Sequence, residues 1–388
     1  MGMWIGRNRK ARVTYGFDEI ALVPGEVTIN PNEVDTAFKL GPFTFKVPIL
    51  ASAMDGVVDV NFATTMGKMG GLAVLNLEGV QTRYDNPADI LSQIAKASKE
   101  DSTHLIQQLY IPPIKEELIV KRIKEMKAAG IIAGVSSIPQ KAEHYGKIAQ
   151  EAGADIFFVQ STVSTVRHIS KEYKTLDLAN FCKSMKIPVV IGNSVTYDVT
   201  VELMEAGVSG VLIGVGPGAA CTTRGVLGLG VPQVTATVDC AAARDAYFKK
   251  TGRYVPIITD GGMSKGGDIC KAFACGADAV MIGSAFAKTE EAPGGGYHWG
   301  MATPHANLPR GTRVKVGVTG SLNQILFGPA VLDDGSQNLM GALVTCMGNV
   351  GASDIREFQE TEIIIAPSIK SEGKIFQTVQ GVGMGSSR

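Results

Sequence analysis

A chain of 388 residues, 45% hydrophobic and 19% charged, has apolar mass for a large core, in one big domain or two ordinary ones. Its 37 Lys and Arg balance 37 Asp and Glu with no basic tract, which argues against nucleic acid or a membrane surface as a partner. The six cysteines (Cys182, Cys221, Cys240, Cys270, Cys275, Cys346) show neither CxxC nor disulfide-framework spacing. With no signal peptide and no long apolar span in the sequence, the expectation is a cytoplasmic protein with reduced thiols.

Residues 1–46 form a lead-in of short apolar runs broken by Gly and Pro. From there, apolar runs at 48–53, 71–76, 131–135, 155–159, 187–191, 209–213, 255–259 and 278–282 read as strands. Helical patterns fall at 61–69, 88–98, 141–151, 176–185, 198–206, 238–251 and 267–275. Several end in a small residue and glycine, as at Ala152-Gly153, Ala206-Gly207 and Cys275-Gly276. Glycine just past a helix is the usual stop signal.

Eight strands apolar throughout, alternating with helices, imply a parallel sheet covered on both faces. The expected fold is an α/β (β/α)8 TIM barrel, with a doubly wound open sheet as the alternative. The absence of GxGxxG after an early strand weighs against a Rossmann domain. The chain is expected to be one barrel domain over residues 1–388 with two interruptions. The first, about 99–130, holds the stretch HLIQQLYIPP and a charged helix at 115–129. The second, about 290–337, is rich in Gly and Pro with little helical period. A segment of that length after the eighth strand reads as a mobile lid over the C-terminal face, where barrels keep their active sites.

The stretch VLIGVGPGAACTTR at 211–224 organises the chemistry. Gly214, Gly216 and Gly218 break the sixth strand into a backbone-exposed loop that presents Cys221 as a nucleophile would be presented. The alternative is that Cys221 is a small buried hydrophobe, as most free cysteines are. Other strand ends converge with it: Ser52-Ala53-Met54-Asp55, Gly192-Asn193-Ser194, Asp260-Gly261-Gly262 and Gly283-Ser284. Glycine turns after strands seven and eight form the usual phosphate cradle of a barrel. Asp260 reads as a ribose anchor or as a helix cap. The histidines are not clustered, so a metal site of side chains is not expected.

The motifs GVGPGAACTTR, GNSVT, DGG followed by GD, and ASAMD resemble the IMP dehydrogenase/GMP reductase family, over about residues 14–347. The resemblance implies that Cys221 attacks C2 of a purine nucleotide, that Thr223 assists proton transfer and that Arg310 on the lid is the hydrolytic base, with Arg313 the alternative. It implies a substrate site of Ser52, Met54, Asn193, Asp260, Gly262, Gly283, Ser284, His298, Gly300 and Met301. NAD, or NADPH in the reductase direction, would lie against Gln160, Ser161 and Gly214. A monovalent cation, K+ in the family, would take the carbonyls of Gly216, Gly218 and Cys221. A homo-oligomer, tetramer or octamer, is implied as well.

Departures from the family pattern are specific. The segment at 99–130 stands where the family often carries regulatory CBS modules and is far too short for them. Ala219 replaces a phosphate-binding serine, and Gln160 replaces a nicotinamide-contacting aspartate. Glycine around Gly295 replaces a lid glutamate, and the lid's Tyr-Arg-Gly-Met-Gly becomes His298-Trp299-Gly300-Met301-Ala302. The opening TYGFDEIALVPGEV and the segments GNSVT and TEEAPG favour the dehydrogenase, whereas TTRGVLGLGVPQVTATVDCA is nearer the reductase. A nucleotide-binding regulator without catalysis is a third reading, against which the intact Cys221-Thr222-Thr223 argues.

Overall fold

The structure is a computed structural model that describes residues 2–300 and 312–386. Eight parallel strands close into a barrel in sequence order: β1 (Ile49–Ala51), β2 (Leu72–Asn76), β3 (Gly134–Ser137), β4 (Ile156–Gln160), β5 (Val189–Ser194), β6 (Gly210–Ile213), β7 (Ile257–Asp260) and β8 (Ala279–Ile282). All eight overlap the predicted apolar runs, with β3 beginning three residues later than the run at 131–135. The reason is the pleat: alternate residues of each strand enter two different cores. Leu50, Leu72, Val74, Phe158, Val190, Leu212, Ile258 and Met281 fill the barrel interior. Ile49, Ala73, Leu75, Phe157, Ile191, Val211, Ile257 and Val280 face the helical ring. Both faces are dry, so the strands carry no polar alternation.

The lead-in is more ordered than its composition implies. A hairpin of Phe38–Leu40 with Phe43–Phe45 joins Phe38, Leu40 and Phe45 to the interior core. Ile20–Leu22 pairs antiparallel with Ile363–Ile365 and so fastens the two ends of the chain to each other.

The helices are α1 (Val60–Lys68), α2 (Pro87–Lys96), α3 (Ser102–Leu109), α4 (Glu116–Ala128), α5 (Pro139–Glu151), α6 (Leu178–Ser184), α7 (Tyr197–Glu205), α8 (Thr223–Leu227), α9 (Gln233–Thr251) and α10 (Gly266–Ala274). The insertion after β2 is shifted from its expected position. The charged helix α4 belongs to the barrel ring, where it packs on α1 and α5. The excursion is α2 with α3, so it begins before residue 99. HLIQQL falls within α3. Leu91 and Ile94 of α2 pack with Val80, Ile106, Tyr110 and Trp299, away from the strands. Helical period alone does not say which apolar partner a face will find.

The expected lid is also partly regular. Tyr297–Trp299 (β9) pairs antiparallel with Arg313–Lys315 (β10), and Leu322–Phe327 forms α11. Beyond it, α12 (Leu339–Val350) packs on α10 and α11. Among the described residues, no helix is long and apolar enough to cross a membrane.

Candidate active site

Cys221 is exposed on the loop between β6 and α8. Its Sγ donates to Thr223 Oγ1 at 3.2 Å, and its N–H donates to the Gly218 carbonyl at 3.0 Å. Thr223 is buried at the start of α8, so its hydroxyl is a buried partner for an exposed thiol. Arg224 fastens the loop from behind, its Nε donating to the Val215 carbonyl at 3.3 Å and its Nη2 to the Val231 carbonyl at 2.9 Å. Burial lowers the Arg224 guanidinium from its ordinary pKa, and its electrostatic contact with the Cys221 sulfur acts in the opposite sense.

The neighbouring strand ends close on this loop. Gly214 has a φ of +145°, and a Cβ there would fall 2.5 Å from the Asp260 carbonyl oxygen. No side chain fits between β6 and β7 at that level. Gly261 and Gly262 have φ of +81° and +82°, left-handed conformations that favour glycine, and the Gly261 N–H donates to the Met281 carbonyl of β8 at 2.9 Å. A Cβ on Gly261 would sit 3.2 Å from Pro217, so the turn after β7 abuts the cysteine loop directly.

Asp260 ends β7 with part of its side chain open to the mouth and the rest enclosed by strands. That enclosure pushes its pKa up to about 6, against one opposing hydrogen bond from Asn193 Nδ2 at 2.9 Å. The nearest helix start is at Gly266 with Lys265 as its cap, so the helix-cap reading of Asp260 is wrong. Asn193 reaches Asp260 because the register of β5 on β6 slips between Gly192 and Ser194, which re-aims the intervening side chain. The loop after β4 pins it: Asn193 N–H donates to the Ser161 carbonyl at 3.1 Å, and Ser164 N–H to the Asn193 carbonyl at 2.9 Å.

A second group gathers at β8 and β1. A Cβ on Gly283 would meet Met54 Sδ at 2.8 Å and Ser52 Oγ at 3.8 Å, so these three residues share one wall. Ser284 Oγ lies 3.0 Å from His298 Nε2 on β9. His298 is buried, burial lowers its pKa to about 4, and its Nδ1 has no hydrogen-bond partner among the described residues. It is therefore a neutral imidazole over the physiological range. Gly300 follows β9 directly, whereas Met301 and Arg310 lie outside the described residues.

For the expected cofactor, Gln160 crosses the barrel mouth from β4 so that its Nε2 lies 3.9 Å from Met281 Sδ on the opposite strand. The Ser161 hydroxyl is occupied within its own loop by the Val163 carbonyl at 2.8 Å. Gln160 is the polar group here that could meet a nicotinamide amide, with Ser161 contributing shape, whereas Gly214 is buried with its N–H donating to the Ser194 carbonyl at 2.9 Å and presents no free backbone to a cofactor. For a cation, the Gly216, Gly218 and Cys221 carbonyls are hard oxygen donors on one loop, of the kind a monovalent ion takes. Among the described residues no group of three or more His, Cys, Asp or Glu could hold a metal.

Sequence reasoning missed two features. Gln233 opens α9, five residues before the helix expected at 238. Pro232 ahead of it is a helix-start signal that could have exposed it. The chain of Asp55, Tyr110 and Trp299 joins three segments far apart in sequence and leaves no local pattern.

Together these features define a (β/α)8 barrel that presents a free thiol among glycine turns and the half-buried carboxylate of Asp260. Comparison with known proteins gives that class its family. The chain matches the IMP dehydrogenase / GMP reductase domain over residues 14–374. It is 36% identical over 370 residues to an uncharacterized oxidoreductase of Mycolicibacterium smegmatis, covering 93% of this chain and 99% of that protein. It is 30% identical over 390 residues to the inosine-5'-monophosphate dehydrogenase of Cryptosporidium parvum, covering 88% and 89%. The crystal structure of an IMP dehydrogenase/GMP reductase-like protein from Corynebacterium glutamicum superposes with a TM-score of 0.88 at 34% identity, covering 94% of this chain and 97% of that one. The chain belongs to the IMP dehydrogenase/GMP reductase family, a family of oxidoreductases.

Proposed function

We propose that the protein is an IMP dehydrogenase, oxidising IMP to XMP with NAD and water. The observation that carries this reading is Cys221, exposed on its glycine loop with Thr223 at 3.2 Å, facing the turn that bears Asp260. Asp260 accepts the two ribose hydroxyls, and the glycine turns after β7 and β8 receive the phosphate with Ser52, Ser284 and His298. The Cys221 thiolate forms a bond from Sγ to C2 of the purine. Bound NAD supplies the acceptor for the hydride that leaves C2, which no side chain can take. Thr223 holds the thiol proton's path, and the lid then excludes or admits the water that displaces the Cys221 sulfur from C2. The carbonyls of Gly216, Gly218 and Cys221 would hold K+ and so fix the cysteine loop.

The family acts on purine nucleotides in both directions. The run TTRGVLGLGVPQVTATVDCA supports the second reading, a GMP reductase in which the same thiol addition expels ammonia from C2 and NADPH supplies hydride. Absorbance assays with IMP plus NAD, and separately GMP plus NADPH, decide between them. NADH formation with IMP is the expected result. NADPH consumption with GMP alone gives the reductase, and silence in both leaves a nucleotide-binding role.

A further inference from the structure

One buried amide at the site takes no part in the chemistry described above. Gln233 is 4% exposed, and its Nε2 donates to three carbonyls: Ile213 at 3.1 Å, Asp260 at 2.9 Å and Gly261 at 3.2 Å. Those acceptors lie on two strands. Ile213 ends β6 at the root of the Cys221 loop, and Asp260 and Gly261 end β7. Three carbonyls around one end of the amide fix which end is nitrogen, since an oxygen there would face only acceptors. The Oε1 is thereby fixed as well, and it is buried without a hydrogen-bond partner among the described residues. The side chain lies tight against the glycines of both turns. A Cβ on Gly214 would fall 2.8 Å from Nε2, and one on Gly262 would fall 3.3 Å from Gln233 Cγ.

We propose that Gln233 is a positioning residue that sets the spacing between the Cys221 loop and the Asp260 turn. The proposal rests on the reading that Asp260 holds a nucleotide and Cys221 attacks it. The groups that grip the nucleotide lie on β7, β8 and β1, while the thiol hangs from β6. The Gln233 amide joins the two sides. Releasing it loosens the Cys221 loop against the Asp260 turn and so changes the reach of the thiol to the base, while the phosphate contacts on β8 and β1 and the Asn193 bond to the Asp260 carboxylate stay in place. Misplacement of a reacting atom lowers rate far more than affinity.

The test uses Gln233→Met, of similar length without donors, and Gln233→Glu. For Gln233→Met, kcat should fall about tenfold or more, with nucleotide KM within about threefold of the parent and a melting temperature lowered by no more than about a few degrees. For Gln233→Glu, a carboxylate facing three carbonyls is repelled, and protonation restores one donor. Its kcat deficit relative to the parent at each pH should therefore shrink between about pH 8 and about pH 6, and that of Gln233→Met should not. Hydrogen exchange supplies a readout independent of substrate: amides at 214–223 and 260–263 should exchange faster in Gln233→Met, with the other strands unchanged. If the parent turns over neither substrate pair, the functional reading fails and the exchange pattern alone judges the strut. An active parent with a Gln233→Met variant of equal kcat and equal exchange overturns the proposal. So does a variant whose exchange rises throughout the barrel as its melting temperature falls, which marks a core residue without a positioning role.

Discussion

Asn193 donates its side-chain amide to Asp260 across the mouth of the barrel, from β5 to β7, over the intervening β6. It is the one hydrogen bond that opposes the burial holding Asp260 at a pKa of about 6. A ribose diol donates two hydrogen bonds and is best received by the ionised carboxylate. Nucleotide KM should therefore rise as pH falls through about 6 and stay level above it. Asp260→Asn should raise KM by on the order of a hundredfold and abolish that pH step. The stability effect has the opposite sign. Because the folded pKa lies above the unfolded one, the parent loses stability as pH rises from about 4 to about 6. Melting curves should place Asp260→Asn at or above the parent at pH 8. A KM indifferent to the substitution would show that the carboxylate does not face the ribose.

Cys221 is the simplest residue to test because it is exposed. Cys221→Ala removes little buried surface, so folding and nucleotide affinity should persist while turnover is lost. Calorimetric titration with IMP beside a steady-state assay checks both halves. Turnover within about tenfold of the parent would remove Cys221 from the nucleophile role.

The barrel was legible because each strand is buried on both faces, so apolar runs such as Ile257–Asp260 stand out against polar helices and glycine stops. The cysteine loop and the glycine turns were legible because backbone geometry demands glycine there, and glycine is visible in a sequence. The excursion after β2 was misplaced because α2 has the period of a barrel helix, while its partner, Trp299, lies about 200 residues further on. The lid hairpin was missed because three-residue strands carry too few positions to show alternation. Gln233 escaped notice because polar residues are common in a helix's first turn, and its three acceptors are backbone atoms that any sequence would supply.

Tyr110 offers a test of how the lid is seated. Trp299 Nε1 donates to the Tyr110 hydroxyl at 2.9 Å, which in turn donates to Asp55 Oδ2; Val80 N–H donates to the same oxygen at 2.7 Å. The lid strand, the excursion and the loop after β1 meet in this buried chain. Tyr110→Phe keeps the ring and removes the hydroxyl, and should cost about 1–3 kcal/mol in urea unfolding. Trp299→Phe keeps the hydroxyl and loses its donor, and should be destabilising as well. If Tyr110→Phe unfolds at the parent's midpoint, the hydroxyl contributes nothing to the junction.

The last prediction separates the two lid arginines. Arg313 is already occupied: its Nη1 donates to the Ile94 carbonyl and its Nη2 to the Ala97 carbonyl at 3.1 Å, with the guanidinium 4.6 Å from the Tyr297 ring centre. Those are carbonyls at the C-terminal end of α2, where a cation also meets the negative end of the helix. A base for hydrolysis of the bond from Cys221 to C2 must instead reach C2 of the nucleotide, and an arginine serves only when desolvated, since its pKa exceeds about 12. Arg313→Ala should therefore cost roughly 1–2 kcal/mol of stability and leave the ratio of the NADH burst to the steady-state rate unchanged. Arg310→Ala should keep the burst and slow steady turnover by about tenfold or more, with covalent enzyme–XMP accumulating, because hydride transfer precedes the step that needs the base. Rapid-quench detection of the adduct beside stopped-flow absorbance reads both variants. Burst and turnover falling together in Arg310→Ala would place that residue before hydrolysis. An altered burst ratio in Arg313→Ala would mean that the α2 contact breaks during the cycle and that Arg313 is the base.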